Sequence, residues 1–155
     1  MMYITILQGL TFVLYVTFIV NRFGILPSIS ESWYRLEGLQ KSLFTFFCWS
    51  IGGLMLFQTN GDTGYFFLSG AGLSFVGAAT MFKTDEAKSN YVHPIGAVSG
   101  IIGAHLGIIF ERHIYIPSII FVIFYLSIIL FVKRNKMWWI EIFAFITILI
   151  GLFLH

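Results

Sequence analysis

Six apolar stretches, each close to the length needed to cross a bilayer, occupy most of this 155-residue chain. A spanning helix takes about 20 mostly apolar residues. The stretches run over 3–20, 39–58, 65–82, 93–110, 117–132 and 138–154. Turn and charge signals separate them: Asn60-Gly61-Asp62-Thr63-Gly64, Thr84-Asp85-Glu86, Glu111-Arg112-His113 and Lys133-Arg134-Asn135-Lys136. Only 10% of the residues are charged, against about 25% in a soluble domain. Too few charges remain to clothe a water-facing surface, so lipid is the expected solvent. Each span must then close its own backbone hydrogen bonds, which favours helices. A transmembrane barrel would need alternating polar and apolar residues, and the runs do not alternate. The fold class predicted is an all-α integral membrane protein, one transmembrane domain over 1–155, with six spans and short loops.

The basic residues orient these spans. Arg22, Arg35 and Lys41 lie between spans one and two, Lys83 and Lys88 between three and four, and Lys133, Arg134 and Lys136 between five and six. That places eight of the nine cations on one side and Arg112 alone on the other. Positive charge stays cytoplasmic during insertion, so both termini are expected outside. The first stretch lacks a basic start and a small-residue cleavage site, and reads as a retained span rather than a secretory signal. The expected location is the bacterial inner membrane or an equivalent one. A net charge of +2, spread along the chain, argues against nucleic acid as a partner. The single cysteine, Cys48, has no internal partner for a disulfide and reads as a small packing residue.

In span four, Gly96, Gly100, Gly103 and Gly107 are spaced 4, 3 and 4 apart, on one helical face. Span three has a matching stripe of Gly70, Ser74, Gly77 and Ala78. Small residues let helix backbones approach closely in lipid. Spans three and four are therefore expected at the tight centre, with Gly52 and Gly53 of span two nearby and the bulkier spans five and six outside. Trp138 and Trp139, beside the basic loop, read as an interfacial aromatic anchor.

The longest connection on the basic side is Gly24-Ile-Leu-Pro-Ser-Ile-Ser-Glu-Ser-Trp-Tyr-Arg-Leu-Glu-Gly38. Ser28 and Glu31 have capping-box spacing. Ile29, Trp33 and Leu36 then share a face, which predicts a short interfacial helix with its aromatic body in the headgroups and Arg35 in water. Pro27-Ser-Ile-Ser-Glu-Ser, Gly72-Leu-Ser-Phe-Val-Gly, and His93 followed by Gly96-Ala97 resemble motifs of a six-span membrane family. That family contains the damage-regulated autophagy modulators and GPI-remodelling proteins, together with small bacterial membrane proteins. The likeness covers about the first four spans. The chain carries Glu31-Ser32-Trp33 where the eukaryotic members have Asp-Thr-Gly, so a six-span fold is the part of the resemblance that carries over.

Ser28, Ser30, Glu31, Arg35, Lys41, Asp85, His93 and Glu141 form a candidate polar surface at the basic side. Pro favours the first helical position, so His93 before Pro94 is predicted to cap span four. Glu141, a turn inside span six, is expected to find Lys136, Lys41 or the headgroups. His105 is an ionisable group inside span four, expected to bond Ser69 or Ser74 as interhelical glue. His93 and His105 are 12 residues apart, about 18 Å along a helix, too far to share a zinc ion. No metal or other cofactor is expected.

The leading expectation is a non-enzymatic protein that contacts the lipid bilayer, itself or other membrane subunits. An enzymatic alternative is a lipid hydrolase or acyl-transfer protein using Ser28, Ser30, Asp85 and His93; a second alternative is a small channel or transporter. Cap and interface roles do not require Ser28, Ser30, His93 and Asp85 to converge, whereas catalysis does.

Overall fold

Apolar helices end here where the backbone changes hand or loses its donors. The computed structural model describes residues 2–59, 63–78 and 86–154, with 86–90 described by backbone alone. Seven α-helices and no strand are found among the described residues. They are α1 (Met2–Phe23), α2 (Ser32–Arg35), α3 (Lys41–Leu56), α4 (Tyr65–Ala78), α5 (Glu86–Phe110), α6 (Ile116–Phe131) and α7 (Lys136–Phe153), with a 3-10 turn at Gly38–Gln40 leading into α3. Gly24, at φ 73°, stops α1 and returns its N–H to Val20 O. This left-handed cap suits a residue without a Cβ. Asn135, at φ 54°, turns the chain into α7; a short polar side chain tolerates that region.

Among the described residues, three helices are long and apolar enough to cross a membrane: Met2–Phe23, the Tyr91–Phe110 part of α5, and Lys136–Phe153. Tyr65–Ala78 and Ile116–Phe131 are apolar but shorter. The predicted end of span three, 79–82, and Asp85 lie outside the described residues.

The long helices alternate in direction. Gln58 at the end of α3 meets Thr5 near the start of α1, and Arg112 after α5 meets Gln58. At the other end, Asn135 before α7 bonds Ile25 after α1. The closest packing runs through α3, α4 and α5. A Cβ added at Gly72 would stand 2.7 Å from Gly96 O, and one at Gly96 would stand 2.8 Å from Gly72 O. Gly52 and Gly70 face one another as closely. Only glycine permits backbones this near, which is how helices gain contact in lipid. Gly77 lies against Trp49 and Cys48, Gly100 against Leu73, Gly103 against Ser69, and Gly107 against Phe66. Gly53 faces open space instead.

Span six is not peripheral. Trp138, Ala144, Thr147, Ile148, Gly151 and Leu152 of α7 are buried, and α7 packs on α1, α5 and α6. Alanine, threonine and glycine recur along that face and let bulky neighbours close in: Ile108 lies against Gly151. Helix α6 is the outer element. It packs on α7 and barely touches α5, and Ile119, Val122, Ile123, Leu126 and Leu130 are all more than half exposed. Among the described residues, forty large hydrophobic side chains are exposed. A water-soluble monomer rarely leaves contiguous apolar surface on that scale.

Candidate functional site

The loop after α1 is folded into the protein rather than laid on a membrane surface. Its only helix is the single turn α2, and Leu26, Ile29, Trp33 and Leu36 are buried within the main core. One apolar face was legible in the sequence, but helix ends, not headgroups, cover it. Three hydrogen bonds fasten the loop to α7: Ile29 N–H donates to Glu141 Oε2 at 2.5 Å, Trp138 N–H to Pro27 O at 3.0 Å, and Asn135 Nδ2 to Ile25 O at 3.2 Å. Trp138 is therefore a core residue at 2% exposure, not an interfacial anchor. Its ring fills the space that the inserted loop encloses.

Within the loop, Glu31 N–H donates to Ser28 Oγ at 3.1 Å, and Ser28 and Ser30 share a hydrogen bond of 2.9 Å. These hold a turn; Glu31 instead approaches Arg35 at 3.8 Å, so the box is half made. Ser32 Oγ donates to Ile29 O at 2.5 Å. Its one hydrogen is thereby committed, so the 2.6 Å contact with Tyr15 has the tyrosine hydroxyl as donor. Lys41 lies over the Trp33 ring, 5.0 Å from its centroid.

Glu141 therefore takes neither Lys41 nor Lys136. Lys136 donates its ammonium to Ile129 O at 2.8 Å, and no ion pair to Glu141 occurs among the described residues. A backbone N–H satisfies one oxygen in place of a cation. The carboxylate lies on a wall shared by two cavities. The inner one, about 40 Å³, is lined by Ser30, Cys48, His93 and Glu141 among apolar neighbours, with room for about one to three waters. The outer one is a crevice of about 460 Å³ between α5, α6 and α7, lined by Val98, Ile102, Phe121, Val122, Ile129 and Glu141 among others. Ala97 and Ile101 also border both.

His93 is not a helix cap. Helix α5 begins at Glu86, so His93 and Pro94 lie inside it. Interior proline forfeits one helical hydrogen bond, which packed membrane helices tolerate. Ser30 and His93 border the inner cavity. Ser28, of the same set, is not among the residues lining it, and Asp85 is outside the described residues.

His105 bonds span five rather than span three. Its Nδ1 lies 3.0 Å from Ser118 Oγ and its ring stacks on Phe121 at 4.5 Å. Ser69 and Ser74 donate instead to Gly100 O and Gly70 O. The buried His105 Nε2 atom has no hydrogen-bond partner among the described residues.

A second polar cluster, at the opposite end, escaped the sequence reading. Gln58, fully buried, donates from Nε2 to Thr5 Oγ1 at 3.1 Å and Gln8 Oε1 at 3.4 Å. Arg112 donates to Gln58 O at 3.0 Å and Oε1 at 3.3 Å, with its guanidinium over the Phe66 ring. Burial pulls the Arg112 guanidinium below its ordinary pKa, and neighbouring Glu111 opposes that shift. The signal was present in the sequence as Gln8 within span one, Gln58 at the end of span two, and the lone outer cation. Among the described residues, no group of three histidine, cysteine or acidic side chains is placed to hold a metal ion. No protein-family model, curated protein or solved structure matches the chain.

Proposed function

We propose that this chain is a six-span integral membrane protein that acts by contact with lipid rather than by catalysis, and that the crevice between α5, α6 and α7 is its lipid-facing site. The crevice itself carries the proposal. It has about 460 Å³, within the range of small-molecule sites, its walls are almost wholly apolar, and one carboxylate, Glu141, stands at its edge. Water would fill such a space at a cost; hydrocarbon would fill it at a gain.

Other observations support the same reading. The alternating helices, the exposed apolar surface of α6 and the eight cations that fall in alternate connections of the sequence suit six crossings with both termini outside. Helices α3 and α6, at 16 residues each, would span by locally thinning the bilayer. The likeness of the Pro27–Ser32 motif to the six-span autophagy-modulator and GPI-remodelling family belongs to the same proposal. Ser28 and Ser30 are engaged in the loop turn, a structural use that leaves contact with lipid as the simpler role for this surface.

Native mass spectrometry of the full chain purified in mild detergent tests this. Bound lipid is expected on the wild-type chain and is expected to fall when Ile102→Trp fills the crevice from an exposed wall position. Equal lipid on both chains, or none on either, would contradict the assignment.

A further inference from the structure

We infer that the crevice selects a single-chain lipid with an uncharged hydroxyl head, of the monoacylglycerol type, whose hydroxyl donates to Glu141 while its chain lies along α5 and α6. This rests on the lipid-contact proposal and names the ligand class. The direction of the crevice agrees. Glu141 and Met137 mark its end near the basic loop, and its α6 wall runs from Ile129 back to Phe121. That is about 12 Å along a helix. A lipid seated there has its head at the level of Lys133–Lys136 and its chain toward the bilayer centre, as lipids of that leaflet lie.

The chemistry of the head follows from the carboxylate. One Glu141 oxygen accepts from Ile29, and the other receives no hydrogen bond from the described residues. The open carboxyl oxygen can accept a hydrogen bond whether or not the group carries its proton, so a hydroxyl donor suits it in either state. A phosphate head would carry full negative charge between apolar walls. An ammonium could donate, but carrying a full charge between apolar walls costs far more than carrying a hydroxyl. A hydroxyl both donates and accepts. A glycerol head has a second one to offer toward the inner cavity, where Ser30 and His93 lie beside the same carboxylate. The apolar wall supplies gain for the chain and little discrimination. Selectivity therefore resides at Glu141.

Competition by native mass spectrometry separates the outcomes, with the full chain in detergent challenged by 1-monooleoylglycerol, methyl oleate, oleylamine and oleoyl lysophosphatidate. Monooleoylglycerol is expected to be retained at about tenfold lower concentration than methyl oleate, as one hydrogen bond allows. Glu141→Ala should erase that preference, the variant retaining monooleoylglycerol and methyl oleate equally. The milder Glu141→Gln, which keeps an acceptor, should retain part of it. The wild-type comparison stands by itself if Glu141→Ala does not fold. Equal retention of monooleoylglycerol and methyl oleate overturns head selection but leaves lipid contact intact. Preference for the amine or the lysophosphatidate overturns the hydroxyl class. Retention of none of the four, by a chain that also purifies without lipid, removes the lipid-contact proposal as well.

Discussion

Alanine at Gly96 and alanine at Gly53 should move stability in opposite directions, although both glycines sit inside helices. At Gly96 the new Cβ meets Gly72 O at 2.8 Å, Val76 N at 3.1 Å and Phe75 Cβ at 3.2 Å. Two of those three are backbone atoms, which cannot swing aside, so α4 and α5 must separate by several tenths of an ångström. Forcing extra volume into a packed interior costs about 1–3 kcal/mol. At Gly53 the same atom meets nothing within 4 Å, and only the helix-propensity gain of about 1 kcal/mol remains. That gain is common to both sites and cancels in the difference. Gly96→Ala should therefore be less stable than Gly53→Ala by about 1–3 kcal/mol, measured by reversible unfolding in mixed detergent and dodecyl sulfate micelles. Gly72→Ala with Gly96→Ala should cost less than the sum of the two, because helices already parted accept the second methyl more easily. Equal stabilities for Gly96→Ala and Gly53→Ala would refute the close approach of α4 and α5.

Glu141→Ala should free the loop after α1, with a loss of about 1.5–3 kcal/mol and faster tryptic cleavage after exposed Arg35, while Glu141→Gln keeps most of the attachment. A double-mutant cycle between His105→Ala and Ser118→Ala should return a coupling of about 0.6 kcal/mol and at most ~1.7 kcal/mol, the range of hydrogen bonds between membrane helices. Gln58→Leu should cost about 1–3 kcal/mol in the same unfolding assay, since Thr5 and Gln8 lose a donor and Arg112 loses an acceptor.

The helical elements were legible because apolar runs broken by Gly24, Asn135 and charged turns leave few other ways to satisfy a backbone in lipid. The glycine stripes gave faces, and a face is local information. What each face meets is not. Ile29, Trp33 and Leu36 announce a buried side of the first loop, but the same pattern serves a headgroup surface or a protein interior. Trp138 has the same ambiguity, because an indole suits a membrane interface and a core alike. Glu141 defeated charge pairing for a different reason. Its partner is a backbone N–H 112 residues away, and every residue but proline carries one. His93 was misplaced because Pro94 marks a helix start only when the helix does not already begin at Glu86.

Compartment-specific labelling of single cysteines, placed beside Tyr3, at Lys133 and beside Phe153 in a Cys48→Ala background, tests the six crossings most directly. Both ends should react from outside the cell, and the Lys133 position only after the membrane is opened. Labelling of the two ends from opposite sides, or of Lys133 from the same side as both ends, would contradict the six-span arrangement on which the crevice, its head level and its lipid depend.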